Sequence, residues 1–151
     1  MKYRRNIGLG EALAEQMAAF VRTLDWPVDA LIPVPLGKKR LKERGYNQVG
    51  LVAGPLAYQL GWVYETHALW KMRETRSQVG LTAVQRLENV RNAYQADPRA
   101  VQQRSILIMD DVATTGSTIQ SCSEALLSAG AREVYVLTIA RALSRHSLDR
   151  V

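Results

Sequence analysis

The sequence predicts an α/β fold in which a parallel sheet of about four to five strands is flanked by helices. Two continuous apolar runs, residues 106–109 and 134–139, enclose an amphipathic segment over residues 117–129. Such runs are typical of strands buried on both faces, and an intervening helix makes the two strands parallel. A third apolar run at residues 29–35, ended by prolines, predicts another buried strand that leads into a loop.

The N-terminal half predicts two helices, one before and one after that third strand. Apolar residues recur at helical spacing in an N-terminal helical segment, residues 1–25: Leu9, Leu13, Met17, Phe20, Val21 and Leu24. Asn47 is a candidate N-cap for the next helix, which runs to about Leu60. Pro55 lies inside that helix and should kink it or delay its start. Residues 62–69 predict a weaker strand.

The segment 71–92 predicts a mobile loop followed by a short helix. Its first half is polar and lacks helical periodicity, and a loop of that length in a compact domain is usually functional or disordered. Its second half, residues 82–91, predicts a helix capped by Thr82. The later helix over 117–129 is expected to turn four residues to the core: Ile119, Cys122, Leu126 and Ala129.

Length and composition predict one compact domain, residues 1–151. No apolar run approaches the roughly 20 residues that a membrane span needs. The first residues lack the apolar core of a signal peptide, so we predict a cytoplasmic protein. The single cysteine, Cys122, can form neither an internal disulfide nor a structural zinc site, and we expect it to be a small core residue.

The charge of the chain favours an anionic partner. The formal net charge is +6, and residues 38–44 hold five basic side chains and one acidic side chain. Phosphates and nucleic acid are the partners that such a balance suits. A solvated basic surface with no ligand is the alternative for residues 38–44.

The residues that best indicate chemistry follow the strand at 106–109. Asp110 and Asp111 are expected at its carboxyl end, where open α/β sheets bind ligands. A turn rich in small and hydroxyl residues then leads into a helix and predicts a phosphate cradle: Thr114, Thr115, Gly116, Ser117 and Thr118. Two carboxylates beside a phosphate site suit a ligand that also has hydroxyl donors or brings a divalent cation, as a ribose 5-phosphate unit does. The alternative is a simple Mg²⁺ site beside an ordinary helix cap.

Residues 106–118 resemble the signature of the type I phosphoribosyltransferases, which has an apolar strand, two acidic residues and a Thr-Gly-x-Thr loop. The resemblance implies that fold. It also implies that Asp110 and Asp111 bind the ribose hydroxyls and that the loop at 114–118 binds the 5-phosphate of phosphoribosyl pyrophosphate (PRPP). Mg²⁺ is the implied cofactor and arrives with the substrate, with Asp110 or Asp111 as its candidate protein ligand.

Further motifs resemble the ComF/GntX family: residues 32–36, 40–48, 77–81, 86–89 and 136–141. This resemblance implies a pyrophosphate loop after the first strand, formed by Pro35, Leu36, Gly37, Lys38, Lys39 and Arg40. It also implies a mobile loop that closes over the substrate, with Arg73, Arg76 and Gln78 as candidate contacts and with Arg86 and Asn89 as bracing residues. The chain departs from the family pattern at Gly37, where members often carry histidine, and in having no cysteine-rich zinc-binding segment.

Three functions remain open on these observations. The first is Mg²⁺-dependent transfer of phosphoribosyl from PRPP to an acceptor that the sequence does not identify. The second is a non-catalytic accessory role in competence and DNA uptake, through binding of nucleotide or single-stranded DNA. The third is a sensor that binds PRPP without chemistry. Neither His67 nor His146 is expected to act as a general base, and ribosyl transfer depends more on positioning and charge stabilisation.

Overall fold

A computed structural model of the chain describes residues 2–73, 79–90, 92–113 and 116–141. Six strands form two sheets: β1 (Ala30–Pro33), β2 (Val63–Tyr64), β3 (Leu69–Lys71), β4 (Tyr94–Ala96), β5 (Ser105–Ala113) and β6 (Glu133–Arg141). The larger sheet has four strands in the order β2-β1-β5-β6, and every neighbouring pair in it is parallel. The predicted fold class, a parallel sheet of about four to five strands, is therefore confirmed.

Six helices accompany the strands: α1 (Lys2–Arg22), α2 (Lys38–Arg44), α3 (Gly50–Leu60), α4 (Ala83–Val90), α5 (Pro98–Val101) and α6 (Ser117–Ser128). None of the helices in the described ranges is long and apolar enough to cross a membrane. α6 connects β5 to β6 as predicted. Gly130, with φ +98, follows its C-cap and lets the chain turn back toward the sheet.

The large sheet is covered on both faces, because successive side chains of a strand point to opposite sides. Leu31, Leu107 and Met109 pack with residues of α1 and α3 on one face. Ile32 and Ile108 pack on the other face with α6, including Cys122, which is fully buried. The prediction that Cys122 is a core residue is confirmed, and each fully buried Leu or Ile contributes about 1.5–3 kcal/mol.

The core-facing side of α1 combines small residues with part of the predicted apolar stripe, since Val21 is buried and Leu13 and Met17 are partly buried against the core. Ala14 and Ala18 are fully buried, whereas Leu9 is 71% exposed and Phe20 is 56% exposed. Small residues are needed because α1 lies very close to α3, and a Cβ at Gly10 would fall on the carbonyl oxygen of Leu51. The predicted stripe is therefore wrong for Leu9 and Phe20, which are exposed.

Pro55 lies inside α3, which begins at Gly50 and not directly after Asn47. Its missing N–H leaves the carbonyl of Leu51 without its usual helical donor, and this is the carbonyl that faces Gly10. Val49, Val52 and Leu56 are buried in the core that this region shares with α1.

The predicted strand at 62–69 is divided between two sheets. β2 pairs with β1, whereas β3 pairs antiparallel with β4, a strand that sequence analysis missed. β4 has only three residues and no alternating apolar pattern, and its pairing with β3 is a long-range contact. The β3–β4 pair joins the two ends of the segment between them, and the N–H of Met72 also donates to the carbonyl oxygen of Ala93 at 2.6 Å.

Candidate functional site

Asp110 and Asp111 lie on β5 beyond the end of β1, its neighbour on one side. On the other side, β6 continues alongside them. The pairing of β1 with β5 ends at Pro33 and Met109, whereas β5 and β6 pair as far as Ala113. β5 is therefore longer than the predicted run at 106–109, and both acidic residues belong to it. On the side of β1 they extend past the carboxyl edge of the sheet, which is the edge where ligands bind in this architecture.

The two carboxyl groups are close to one another and only partly exposed. The backbone N–H of Asp111 donates to Oδ1 of Asp110 at 2.9 Å. Burial raises the pKa of Asp110 to about 6, and the charge of Asp111 and a side-chain hydrogen bond with it also raise it, while the backbone hydrogen bond lowers it. Asp110 therefore titrates close to neutral pH, and a ligand with hydroxyl donors or a cation would favour its charged form.

The predicted phosphate cradle is described only in part, because Thr114 and Thr115 lie outside the described residues. Gly116 has φ +78, a conformation that favours glycine, and it precedes the first turn of α6 without contributing a side-chain cap. Ser117 is buried and Thr118 is partly exposed at this helix start. A helix start with its backbone N–H groups and dipole is suited to an anion.

The predicted pyrophosphate loop adjoins the two acidic residues. The N–H of Val34 donates to the carbonyl oxygen of Met109 at 2.8 Å, so the residues that follow Val34 leave the sheet next to Asp110. Pro35 and Leu36 are partly exposed and Gly37 is buried. The structure begins α2 at Lys38, so Lys38, Lys39 and Arg40 form an exposed first turn of helix and not an extended loop.

The predicted mobile loop is anchored by the β3–β4 pair. Arg73 is exposed just after β3, while Arg76 and Gln78 lie outside the described residues. The predicted cap of the following helix is confirmed, because Oγ1 of Thr82 accepts from the N–H of Gln85 at 3.2 Å. Oε1 of Gln85 accepts from the N–H of Thr82 at 3.0 Å, which completes a capping box.

Lys71 is a cation near the site that sequence analysis did not single out. Burial raises the pKa of the Cys122 thiol, Asp110 raises it further and Lys71 opposes them, so Lys71 and Asp110 both act on this core residue. Nζ of Lys71 lies 6.0 Å from the ring centroid of Tyr94, its cross-strand partner. The sequence feature that could have identified Lys71 is its position at the start of the predicted mobile segment.

Arg86 was expected to brace the mobile loop. Its Nε is buried and has no hydrogen-bond partner among the described residues, while α4 packs against α6, the helix that begins at the phosphate cradle. A buried unpaired donor of a charged group is costly, so an anion that accepted from Arg86 would remove this cost.

The described residues contain no cluster of three or more His, Cys, Asp and Glu side chains arranged to hold a metal ion. Asp110 and Asp111 nevertheless offer carboxylate oxygens, which suit Mg²⁺. This ion commonly binds a protein through one or two carboxylates and takes its other ligands from substrate phosphates and water. The donor set therefore fits a Mg²⁺ ion that arrives with a phosphorylated ligand.

No protein-family model matches the chain. Curated proteins do: the chain is 34% identical over 148 residues to the DNA utilization protein YhgH of Salmonella typhi and 35% identical over 116 residues to competence protein F of Haemophilus influenzae. These matches cover 95% and 76% of this chain. The chain spans 65% of the length of the Salmonella protein and 51% of the length of the Haemophilus protein.

Two solved structures show the same fold. The adenine phosphoribosyltransferase from Thermoanaerobacter pseudethanolicus matches with a TM-score of 0.54 and 15% identity over 88% of this chain and 80% of that chain. The glutamine phosphoribosylpyrophosphate amidotransferase from B. subtilis matches with a TM-score of 0.54 and 24% identity over 89% of this chain and 26% of that chain. The chain is a homologue of the DNA utilization protein YhgH and competence protein F, the ComF family, and it has the type I phosphoribosyltransferase fold.

Proposed function

We propose that the chain binds PRPP as its Mg²⁺ complex at the carboxyl edge of the large sheet and transfers the phosphoribosyl group to an acceptor. The observation that carries this proposal is the meeting of three elements at one edge. They are the Asp110–Asp111 pair, the start of α6, and the loop after β1 that begins beside Met109. Each of them suits a different part of PRPP.

The ribose 5-phosphate half suits the acids and the helix start. The carboxylates of Asp110 and Asp111 accept hydrogen bonds from the two ribose hydroxyls, which the raised pKa of Asp110 allows above about pH 6. The 5-phosphate lies at the start of α6, within the turn 114–118, where the helix dipole favours an anion.

The pyrophosphate half suits the loop 35–37 and the cations beside it. In the transfer, the bond between ribose C1 and the pyrophosphate breaks, the acceptor forms its bond to C1, and the pyrophosphate leaves. Mg²⁺, for which Asp110 or Asp111 would be the protein ligand, would supply charge neutralisation for the leaving pyrophosphate. Lys38, Lys39 and Arg40 add positive charge on this side, and closure of the segment 71–92, with Arg73, Arg76 and Gln78, excludes water that would hydrolyse the ribosyl cation-like state.

Calorimetric titration of the wild-type protein tests the proposal. PRPP should bind with a dissociation constant in the micromolar range when Mg²⁺ is present and more weakly when Mg²⁺ is chelated. Ribose 5-phosphate and inorganic pyrophosphate should each compete with PRPP. Absence of PRPP binding at millimolar concentration would contradict the proposal.

A pyrophosphate-release assay then separates the transferase from the sensor. Candidate acceptors are added to the PRPP-bound protein, and release above the rate without acceptor supports transfer. Binding without release for every acceptor class tested would favour the sensor function.

Binding of single-stranded DNA is the second candidate function, and α2 is the observation that favours it. None of its seven residues is buried, and its five cations are exposed: Lys38, Lys39, Arg40, Lys42 and Arg44. Curated relatives of the whole chain are named for DNA utilization and competence. An oligonucleotide should then bind with a steep salt dependence, because phosphate contacts release counterions. Changing Lys42 and Arg44 to Glu should abolish this binding, whereas Asp110→Asn should leave it intact.

A further inference from the structure

Asn47 connects the end of β1 to the start of α3 through both ends of its side-chain amide. Its Nδ2 donates to the carbonyl oxygen of Val34 at 2.9 Å. Its Oδ1 accepts from the N–H of Val49 at 3.2 Å. Val34 is only 6% exposed, and its own N–H is bonded to Met109. Both backbone groups of Val34 are therefore held, one by the sheet and one by Asn47.

The hydrogen bond between Asn47 and Val34 joins the two ends of the segment between them, 35–46. This segment contains α2, which buries no residue. The C-cap of this helix, Gly45, has a φ of 79 that lets the chain reverse after the helix. An Arg44–Gln48 hydrogen bond of 3.1 Å lies near its end and is exposed. The Val34–Asn47 hydrogen bond therefore fixes the base of this segment, and Val34 is itself bonded to Met109 of the sheet.

Asparagine suits this base because the base needs a donor and an acceptor on one short side chain. The neighbours of Val34 are both prolines, which have no backbone N–H, so they cannot supply a donor to this part of the chain. Serine at position 47 could still accept from the N–H of Val49 in a similar turn, but it is too short to span to the carbonyl of Val34.

We propose that Asn47 is a positioning residue for pyrophosphate: its hydrogen bond to Val34 holds the loop 35–37 and the first turn of α2 beside Asp110. This inference rests on the proposed binding of PRPP. Asn47 does not touch the ligand in this arrangement. It acts on the pyrophosphate half of the site only, because the ribose 5-phosphate half is built from β5 and α6.

The competing explanation is that Asn47 only stabilises the turn into α3. Two uncharged variants separate the explanations. Asn47→Ala removes both hydrogen bonds, whereas Asn47→Ser removes the bond to Val34 and keeps an acceptor for Val49. Asp97→Ala is the matched control, since Oδ1 of Asp97 accepts from the N–H of Arg99 at 2.9 Å across the same spacing at the start of α5.

The measurements are the thermal midpoint and the dissociation constants of two probes, inorganic pyrophosphate with Mg²⁺ and ribose 5-phosphate. We expect both Asn47 variants to weaken pyrophosphate binding by about fivefold or more, as loss of one positioning hydrogen bond would. Ribose 5-phosphate should bind within about twofold of the wild type. Asp97→Ala should leave both dissociation constants unchanged while lowering the thermal midpoint.

Two results would overturn the inference while the proposed function stands. In the first, the wild type binds both probes and Asn47→Ser binds pyrophosphate as the wild type does. In the second, the Asn47 variants lose affinity for both probes by the same factor, and this loss follows the fall in thermal midpoint. If the wild type binds neither probe, the proposed function fails and the inference fails with it.

Discussion

The backbone N–H of Asp111 donates to Oδ1 of Asp110 at 2.9 Å, so the two acidic residues at the carboxyl edge share one local network. This hydrogen bond favours the charged form of Asp110, yet burial and the charge of Asp111 outweigh it and the pKa of Asp110 rises to about 6. Burial thus makes the charged form of Asp110 less favourable in the free protein than in an exposed aspartate.

We predict that PRPP binding weakens as pH falls through the pKa of Asp110. The ligand needs the carboxylate, and below about pH 6 the free protein carries a proton that must leave before binding. The dissociation constant should therefore rise by up to about tenfold for each pH unit below that value. Isothermal titration in buffers of different ionisation enthalpy should detect proton release near pH 6. A pH-independent affinity with no proton release would contradict the role of Asp110.

The stability of the free protein should also depend on the titration of Asp110. Ligand binding needs the charged carboxylate, whereas the fold favours the neutral carboxyl group. The folded pKa of Asp110 lies above its ordinary value of 3.8, so its stabilising contribution is complete below that value and is lost as pH rises through about 6. Asp110→Asn removes this titration and should stabilise the protein by about 2 kcal/mol at neutral pH. Urea denaturation of both proteins at acidic and neutral pH measures the difference, which should vanish in acid.

Arg86→Met should separate stability from ligand binding. The buried Nε of Arg86 has no hydrogen-bond partner in the described part of the chain, so its removal should change the free energy of unfolding by less than about 1 kcal/mol or increase it. If Arg86 binds a phosphate group of the ligand, PRPP affinity should fall by about tenfold or more. Arg99→Met, at an exposed arginine on α5, is the control for charge. A large loss of stability with unchanged affinity would instead support the bracing role.

The close packing of α1 on α3 predicts opposite effects at two glycines of one helix. A Cβ at Gly10 would fall on the carbonyl oxygen of Leu51, whereas a Cβ at Gly8 meets nothing within 4 Å. Gly10→Ala should therefore destabilise the fold by about 1–3 kcal/mol. Gly8→Ala should stabilise it by up to about 1 kcal/mol through helix propensity. Equal effects in chemical denaturation would show that the two helices separate easily.

The sequence was most informative where a single segment contained the whole signal. The apolar runs around α6, the two acids at the carboxyl end of β5 and Thr82 before α4 are local patterns, and the structure contains the strands, the acids and the helix cap that they predicted. Cys122 lay on the apolar side of its helix and is buried.

Features that depend on contacts between distant segments were not predictable in this way. β4 forms by pairing with β3, and the close approach of Gly10 in α1 to the carbonyl oxygen of Leu51 in α3 is likewise a contact between distant segments. Lys71 belongs to no motif that indicates chemistry, and only its surroundings in the fold, Tyr94 and Asp110, draw attention to it. The pattern of α1 was right for Val21, which is buried, and wrong for Leu9 and Phe20, which are exposed.

The central claim is that the edge formed by Asp110, Asp111 and the start of α6 holds the phosphorylated ribose of PRPP. Its most direct test is the calorimetric affinity of PRPP with Mg²⁺ for the wild type and for Asp110→Asn/Asp111→Asn. We expect binding by the wild type and a loss of about a hundredfold or more in the variant, since two charge-assisted hydrogen-bond acceptors are removed. The variant should remain folded by circular dichroism. Equal affinity for the two proteins, or no binding by the wild type, would contradict the claim.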